Sequence, residues 1–117
     1  MAEEEQKPPA ATETPEGAAV FPLIPEELGV HPLLLAVLHA YVFLEGTEEV
    51  VLNGAVAEEA MEYLVTYLQR LKGADLQRVR EDFQTLVGFA KMDKWPKQQI
   101  RFLQDFLKEN AIGEPAQ

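Results

Sequence analysis

Residues 32–45 read P-L-L-L-A-V-L-H-A-Y-V-F-L-E, and the fold turns on this stretch. Wound as an α-helix about Leu38, it places Leu34, Leu35, Tyr41 and Val42 on one face. Leu33, Ala36, Ala40, Phe43 and Leu44 fall on the opposite face. A surface helix ordinarily carries one apolar stripe and one polar face. Here His39 is the only interior polar side chain, so the expectation is a helix covered on two sides by other elements. Ala36 and Ala40, one turn apart, leave room for a neighbouring helix to approach. Pro32 suits the first helical position, where its missing N–H is not needed and its φ is preset. Gly46 is placed to end the helix in a left-handed turn.

Two rival readings fail on length and pattern. A membrane span needs about 20 apolar residues, whereas this run is shorter and closes on Glu45, Glu48 and Glu49. A strand would show alternation, and none is present.

Three amphipathic segments follow. The connector 46–54 contains Thr47, a candidate cap, and the turn pair Asn53-Gly54. In residues 55–72, Ala57, Ala60, Met61, Leu64, Tyr67, Leu68 and Leu71 recur at helical spacing, and Gly73 is the expected stop. In residues 75–92, with Asp75 as candidate N-cap, the stripe is Leu76, Val79, Phe83, Leu86, Val87 and Ala90. Phe89 stands off that stripe, and Gly88 lowers helix propensity but offers a neighbour close approach. Residues 96–110 begin with Pro96 and carry Ile100, Leu103, Phe106 and Leu107, with Phe102 flanking and Trp95 packing back on the first turn. Short connections favour antiparallel neighbours. The expected fold is therefore all-α: a small four-helix, roughly up-down bundle over residues 21–113, with 114–117 frayed.

On the N-terminal side, residues 21–30 (F-P-L-I-P-E-E-L-G-V) are too apolar to hang free, yet Pro22 and Pro25 forbid a regular helix. They read as an extended strap over the bundle, with one turn at residues 25–28. Residues 1–20 are rich in Glu, Ala, Pro and Thr and lack aromatics, which is the composition of a disordered acidic arm. Such an arm is a solvating tail or a partner-binding segment able to lie against basic residues of the C-terminal half.

The 117 residues suffice for one domain, and a 47% hydrophobic content supports a core. The net charge of −10 opposes nucleic-acid binding, which rests on Lys and Arg neutralising phosphates. Charge is also unevenly placed: Lys7 is the one Lys or Arg before Arg70. The chain has neither serine nor cysteine, so Ser and Cys nucleophiles, disulfides and thiolate-held metals are excluded. Glu3, Glu4 and Glu5 stand where a signal peptide would be basic, so a cytoplasmic location is expected.

Candidate chemistry is sparse. His31 and His39 are about 12 Å apart along a helix axis, too far to share a metal. No zinc quartet or His-Glu-x-x-His pattern occurs, and no metal, cofactor or catalytic residue is expected. Arg70, Lys72, Arg78 and Arg80 around Gly73 invite a helix-turn-helix reading, but Asp75, Glu81 and Asp82 interrupt it. The aromatic residues Phe89, Trp95 and Phe102, with Lys91, Lys94 and Arg101 nearby, form a candidate partner-binding patch. The bland alternative packs those rings under the strap.

The functional expectation is a non-enzymatic protein–protein interaction module: an adaptor, regulatory subunit or inhibitor working through a helical surface on another protein. A second reading is a small-ligand or cation-binding bundle using His39, Tyr41, Glu58 and Glu62, where Glu58 and Glu62 are carboxylates one turn apart. A third is a nucleic-acid binder using the C-terminal basic residues. A homodimer that completes the apolar helix at 32–45 is also consistent with the pattern.

Overall fold

The computed structural model describes residues 16–113. After a single 3₁₀ turn at Glu26–Leu28 come four helices: α1 (Pro32–Gly46), α2 (Gly54–Leu68), α3 (Gly73–Met92) and α4 (Lys97–Glu109). No strand occurs among the described residues. The all-α four-helix architecture is as the hydrophobic spacing dictates.

Local chemistry sets the helix starts. The His31 Nδ1 accepts from the Leu33 amide at 3.1 Å, so a histidine caps α1 ahead of Pro32. The Asn53 side chain accepts from the amides of Ala55 (2.8 Å) and Val56 (3.1 Å), satisfying two orphan donors of α2. Gly73 does not end α2, as its position suggested. It opens α3 at φ +59°, while α2 already gives way at Leu68 to tighter turns. Asp75 lies in the first turn of α3, where its charge suits the helix dipole, and not at the cap. Pro96 stands just outside α4, as its cap residue.

The helices pack chiefly as two hairpins, α1 with α2 and α3 with α4. The core joins Leu34 and Leu38 of α1 to Phe83, Leu86 and Ala90 of α3 and to Leu103 and Phe106 of α4. The strap contributes Phe21, Ile24 and Val30, and Ile112 closes the far end. The Phe83 and Phe106 rings stack at 5.4 Å, tying the second hairpin together.

The core thus belongs to α1, α3, α4 and the strap, while α2 buries only Ala57 fully. The expectation of a central helix enclosed on two sides is corrected here. Leu34 and Leu38 are buried, but Leu33 is 71% exposed and Phe43 is also exposed. The reason is that α2, whose one fully buried residue is Ala57, covers only part of the second apolar face. Tyr67, expected in the α2 core stripe, lies about 80° round the wheel from Ala57 and is 60% exposed.

Gly46 also plays a different part from the expected left-handed stop. It is the last residue of α1, and a Cβ there would stand 2.8 Å from the Ala19 Cβ. Its bareness admits the segment that leads into the strap, which is held by the Glu48 amide on the Gly17 carbonyl (2.9 Å) and the Ala19 amide on Thr47 Oγ1 (3.0 Å). Residues 16–20 are therefore fastened to the α1–α2 connector. Of the disordered arm expected over residues 1–20, the last five residues pack on this connector, and the rest, residues 1–15, lies outside the described residues, as does the expected fraying at 114–117.

Candidate functional site

The α3–α4 corner is where the candidate partner-binding residues gather. Helix α3 closes with the Trp95 amide donating to the Ala90 carbonyl (2.9 Å) and the Lys94 amide donating to the Lys91 carbonyl (3.2 Å). This is a Schellman closure, which needs a left-handed residue just past the helix, normally glycine. Lys94 occupies that position at φ +58°. A side chain in this backbone region costs about 1 kcal/mol, yet a lysine holds it.

Trp95, the single tryptophan of the chain, is seated by this turn. Its ring meets Phe21 edge-on at 5.6 Å and Phe89 at 6.0 Å, and its indole N–H donates to Asp93 Oδ2 at 3.2 Å. Phe21 in turn stands edge-on to His39 at 5.2 Å. Phe102 belongs to a second cluster, with Tyr41 at 6.0 Å and Phe106 at 5.4 Å. The three candidate aromatics are thus half-buried rim residues of the core, with the strap's Phe21 covering one side of Trp95.

The cations are arranged differently. Lys91, Lys94 and Arg101 are exposed, and so is Lys97, which the sequence reading passed over. Together they span residues 91–101 with Asp93 as the one acid among them. Met92, which projects away from the α3 stripe, is 84% exposed in the same stretch of chain. The one ion pair among the described residues lies elsewhere, between Arg78 and Asp82.

The residues of the small-ligand alternative are not brought together. His39 lies against the strap, and its pKa is lowered because burial disfavours the imidazolium. Tyr41 faces α4, where burial raises its pKa, the charges of Glu45 and Glu109 add to this, and a hydrogen bond with Asn110 offsets part of it. Glu45 is raised by desolvation and then by Glu109. Glu58 and Glu62 are exposed on α2 beside Glu59, Tyr63 and Thr66, in a shallow depression. No group of three or more His, Cys, Asp or Glu converges on a cation position among the described residues.

Two features escaped the sequence reading. An apolar groove of about 330 Å³ opens where α1, the end of α2 and the start of α3 meet, lined by Leu33, Leu34, Val37, Leu68, Leu71 and Val79. Its apolar residues are far apart in sequence, so no local pattern announced it. The second is Arg78, counted among the basic residues round Gly73. Its Nε donates to Asp82 at 2.9 Å and an Nη to the Gly29 carbonyl at 2.9 Å, so it is engaged within the fold.

No protein family, curated protein sequence or solved structure matches this chain. No helix among the described residues is long and apolar enough to cross a membrane.

Proposed function

We propose that the chain is a non-enzymatic protein–protein interaction module whose docking surface is the α3–α4 corner. The partner chemistry that fits is an acidic segment carrying an apolar anchor. One observation supports this reading: Lys91, Lys94, Lys97 and Arg101 are all exposed and lie close together in sequence about the α3–α4 turn that carries exposed Met92 and half-buried Trp95. The cations steer an acidic segment in, and Met92 and the Trp95 edge supply apolar area for its anchor. In a protein whose overall charge is −10, a corner carrying four cations and one acid selects against basic partners, while the cations round Gly73 are interrupted by Asp75, Glu81 and Asp82.

Trp95 reports on the site directly, because the chain has no other tryptophan. Titration with a Glu-rich peptide containing one central Leu is expected to change Trp95 emission saturably. Binding should weaken as salt rises, and Lys91→Glu with Lys97→Glu should reduce affinity by at least about tenfold, equivalent to about 1.4 kcal/mol. An emission that does not respond to millimolar peptide, or a response indifferent to those charge reversals, would overturn the reading.

A further inference from the structure

The outward face of α2 is a helical surface that the fold leaves exposed. Val56, Tyr63 and Tyr67 are 62%, 59% and 60% exposed. Their spacings of seven and four residues keep them within about 40° of one line along the helix. Glu59, Glu62 and Glu58 lie progressively farther round one side of the helix from that line and share a shallow depression with Tyr63. Arg70 caps its far end, with the guanidinium carbon 4.7 Å from the centre of the Tyr67 ring. Between Lys7 and Arg70 the chain has no Lys or Arg at all, so this face lies in a wholly acidic stretch.

We propose that this face receives the α3–α4 corner of a second copy of the same chain, head to tail. The inference rests on the corner being a docking surface for acidic segments, and it names the partner. Charge decides the pairing. A symmetric contact of α2 on α2 would set glutamates against glutamates, and corner on corner would set lysines against lysines. Only the unlike pairing is complementary, with Lys91, Lys94, Lys97 and Arg101 meeting Glu58, Glu59 and Glu62. It also lets Met92 reach the Tyr63–Tyr67 line, a sulfur–aromatic contact of a kind that is favourable. Such a heterologous contact leaves one face of each kind free at the ends, so it propagates unless its rotation closes a ring.

Sedimentation velocity on the full chain tests this. At low salt the weight-average sedimentation coefficient is expected to rise with protein concentration. It should return to the monomer value in about 1 M salt, where the Debye length is about 3 Å. Lys91→Glu with Lys97→Glu should abolish association, and so should Glu59→Lys with Glu62→Lys. Combining all four reversals in one chain should restore it, because both faces then change sign together. All these positions are exposed, and circular dichroism of each variant verifies folding. A monomer at every concentration, association that ignores either pair of reversals, or no restoration in the fourfold variant overturns the proposal. The Trp95 peptide titration separates the two readings: peptide binding without self-association removes the second copy alone, whereas loss of both removes the corner as a docking surface.

Discussion

The carboxylate of Asp82, in the middle of α3, accepts the backbone amide of His31 at 3.0 Å across 51 residues of sequence. Its other oxygen takes the Arg78 Nε at 2.9 Å, and Arg78 reaches on to the Gly29 carbonyl. One acid thereby fixes the junction where the strap turns into α1. The side chain is 7% exposed, so its loss leaves a shielded amide and half of an ion pair unsatisfied. Asp82→Ala is expected to lower unfolding free energy by about 2–3 kcal/mol. Asp82→Asn keeps an acceptor for the His31 amide and should lose about half as much. Urea denaturation of both variants checks the order; equal losses would mean that the hydrogen bond to His31 is not what Asp82 contributes.

The same substitution should have opposite signs at two glycines. Gly88 lies in the interior of α3, exposed, with no heavy atom within 4 Å of the place a Cβ would take. The expected close approach of a neighbour is absent, so Gly88→Ala should stabilise by about 1 kcal/mol through helix propensity. Gly46→Ala drives a methyl into Ala19 and should destabilise by about 1–2 kcal/mol, within the range for overpacking. Thermal melts of the two variants should move in opposite directions.

Helix existence was legible because it is local. Pro32, the apolar run after it and the 3.6-residue spacing of Ile100, Leu103, Phe106 and Leu107 each act within a few residues. The cation cluster at the corner was legible for the same reason, since Lys91, Lys94 and Arg101 are near neighbours in the chain. What failed to show depends on distance in sequence. Asp82 looked like an interruption in a basic run because its partner amide is on another element. Leu33 and Phe43 looked like core because nothing local states how little of that face α2 covers. Gly73 has a left-handed φ, as its identity suggests, but which of two adjoining helices uses it is settled by where α2 loses its tertiary contacts.

His39 makes stability depend on pH in a predictable direction. Burial beside Phe21 lowers its folded pKa below the ordinary value near 6.5. The unfolded chain then binds the proton more readily than the native state, so stability rises with pH through this window. The contribution is complete above about pH 6.5 and is lost as pH falls through the lowered folded pKa. Glu45 has the opposite sign, because its raised pKa favours the native state while the acid is protonated and that advantage fades on deprotonation. The difference between wild type and His39→Gln isolates the histidine. Chemical denaturation of both proteins from pH 7.5 down to about 5 should show the wild type losing more stability than the variant. Parallel curves would rule out a shifted His39.

Two helices end in left-handed residues that are not glycine, and the pair separates strain kept for a purpose from strain alone. After α4, the Ile112 amide donates to the Leu107 carbonyl at 2.9 Å and the Ala111 amide to the Lys108 carbonyl at 3.1 Å, with Ala111 at φ +57°. This repeats the closure of α3, where Lys94 sits at φ +58°. Glycine relieves a Cβ clash worth about 1 kcal/mol at such a position but adds freedom to the unfolded chain. The net expectation for Ala111→Gly and Lys94→Gly is a similar small gain of up to about 0.6 kcal/mol each. Function should divide them. Lys94→Gly removes one of the four corner cations and should weaken the Glu-rich peptide in the Trp95 titration, while Ala111→Gly, at the opposite end of α4, should leave it unchanged. Equal gains in stability with unequal binding would show that the lysine is held in its strained place for its charge. Unchanged binding in both variants would reduce Lys94 to an unimproved helix end.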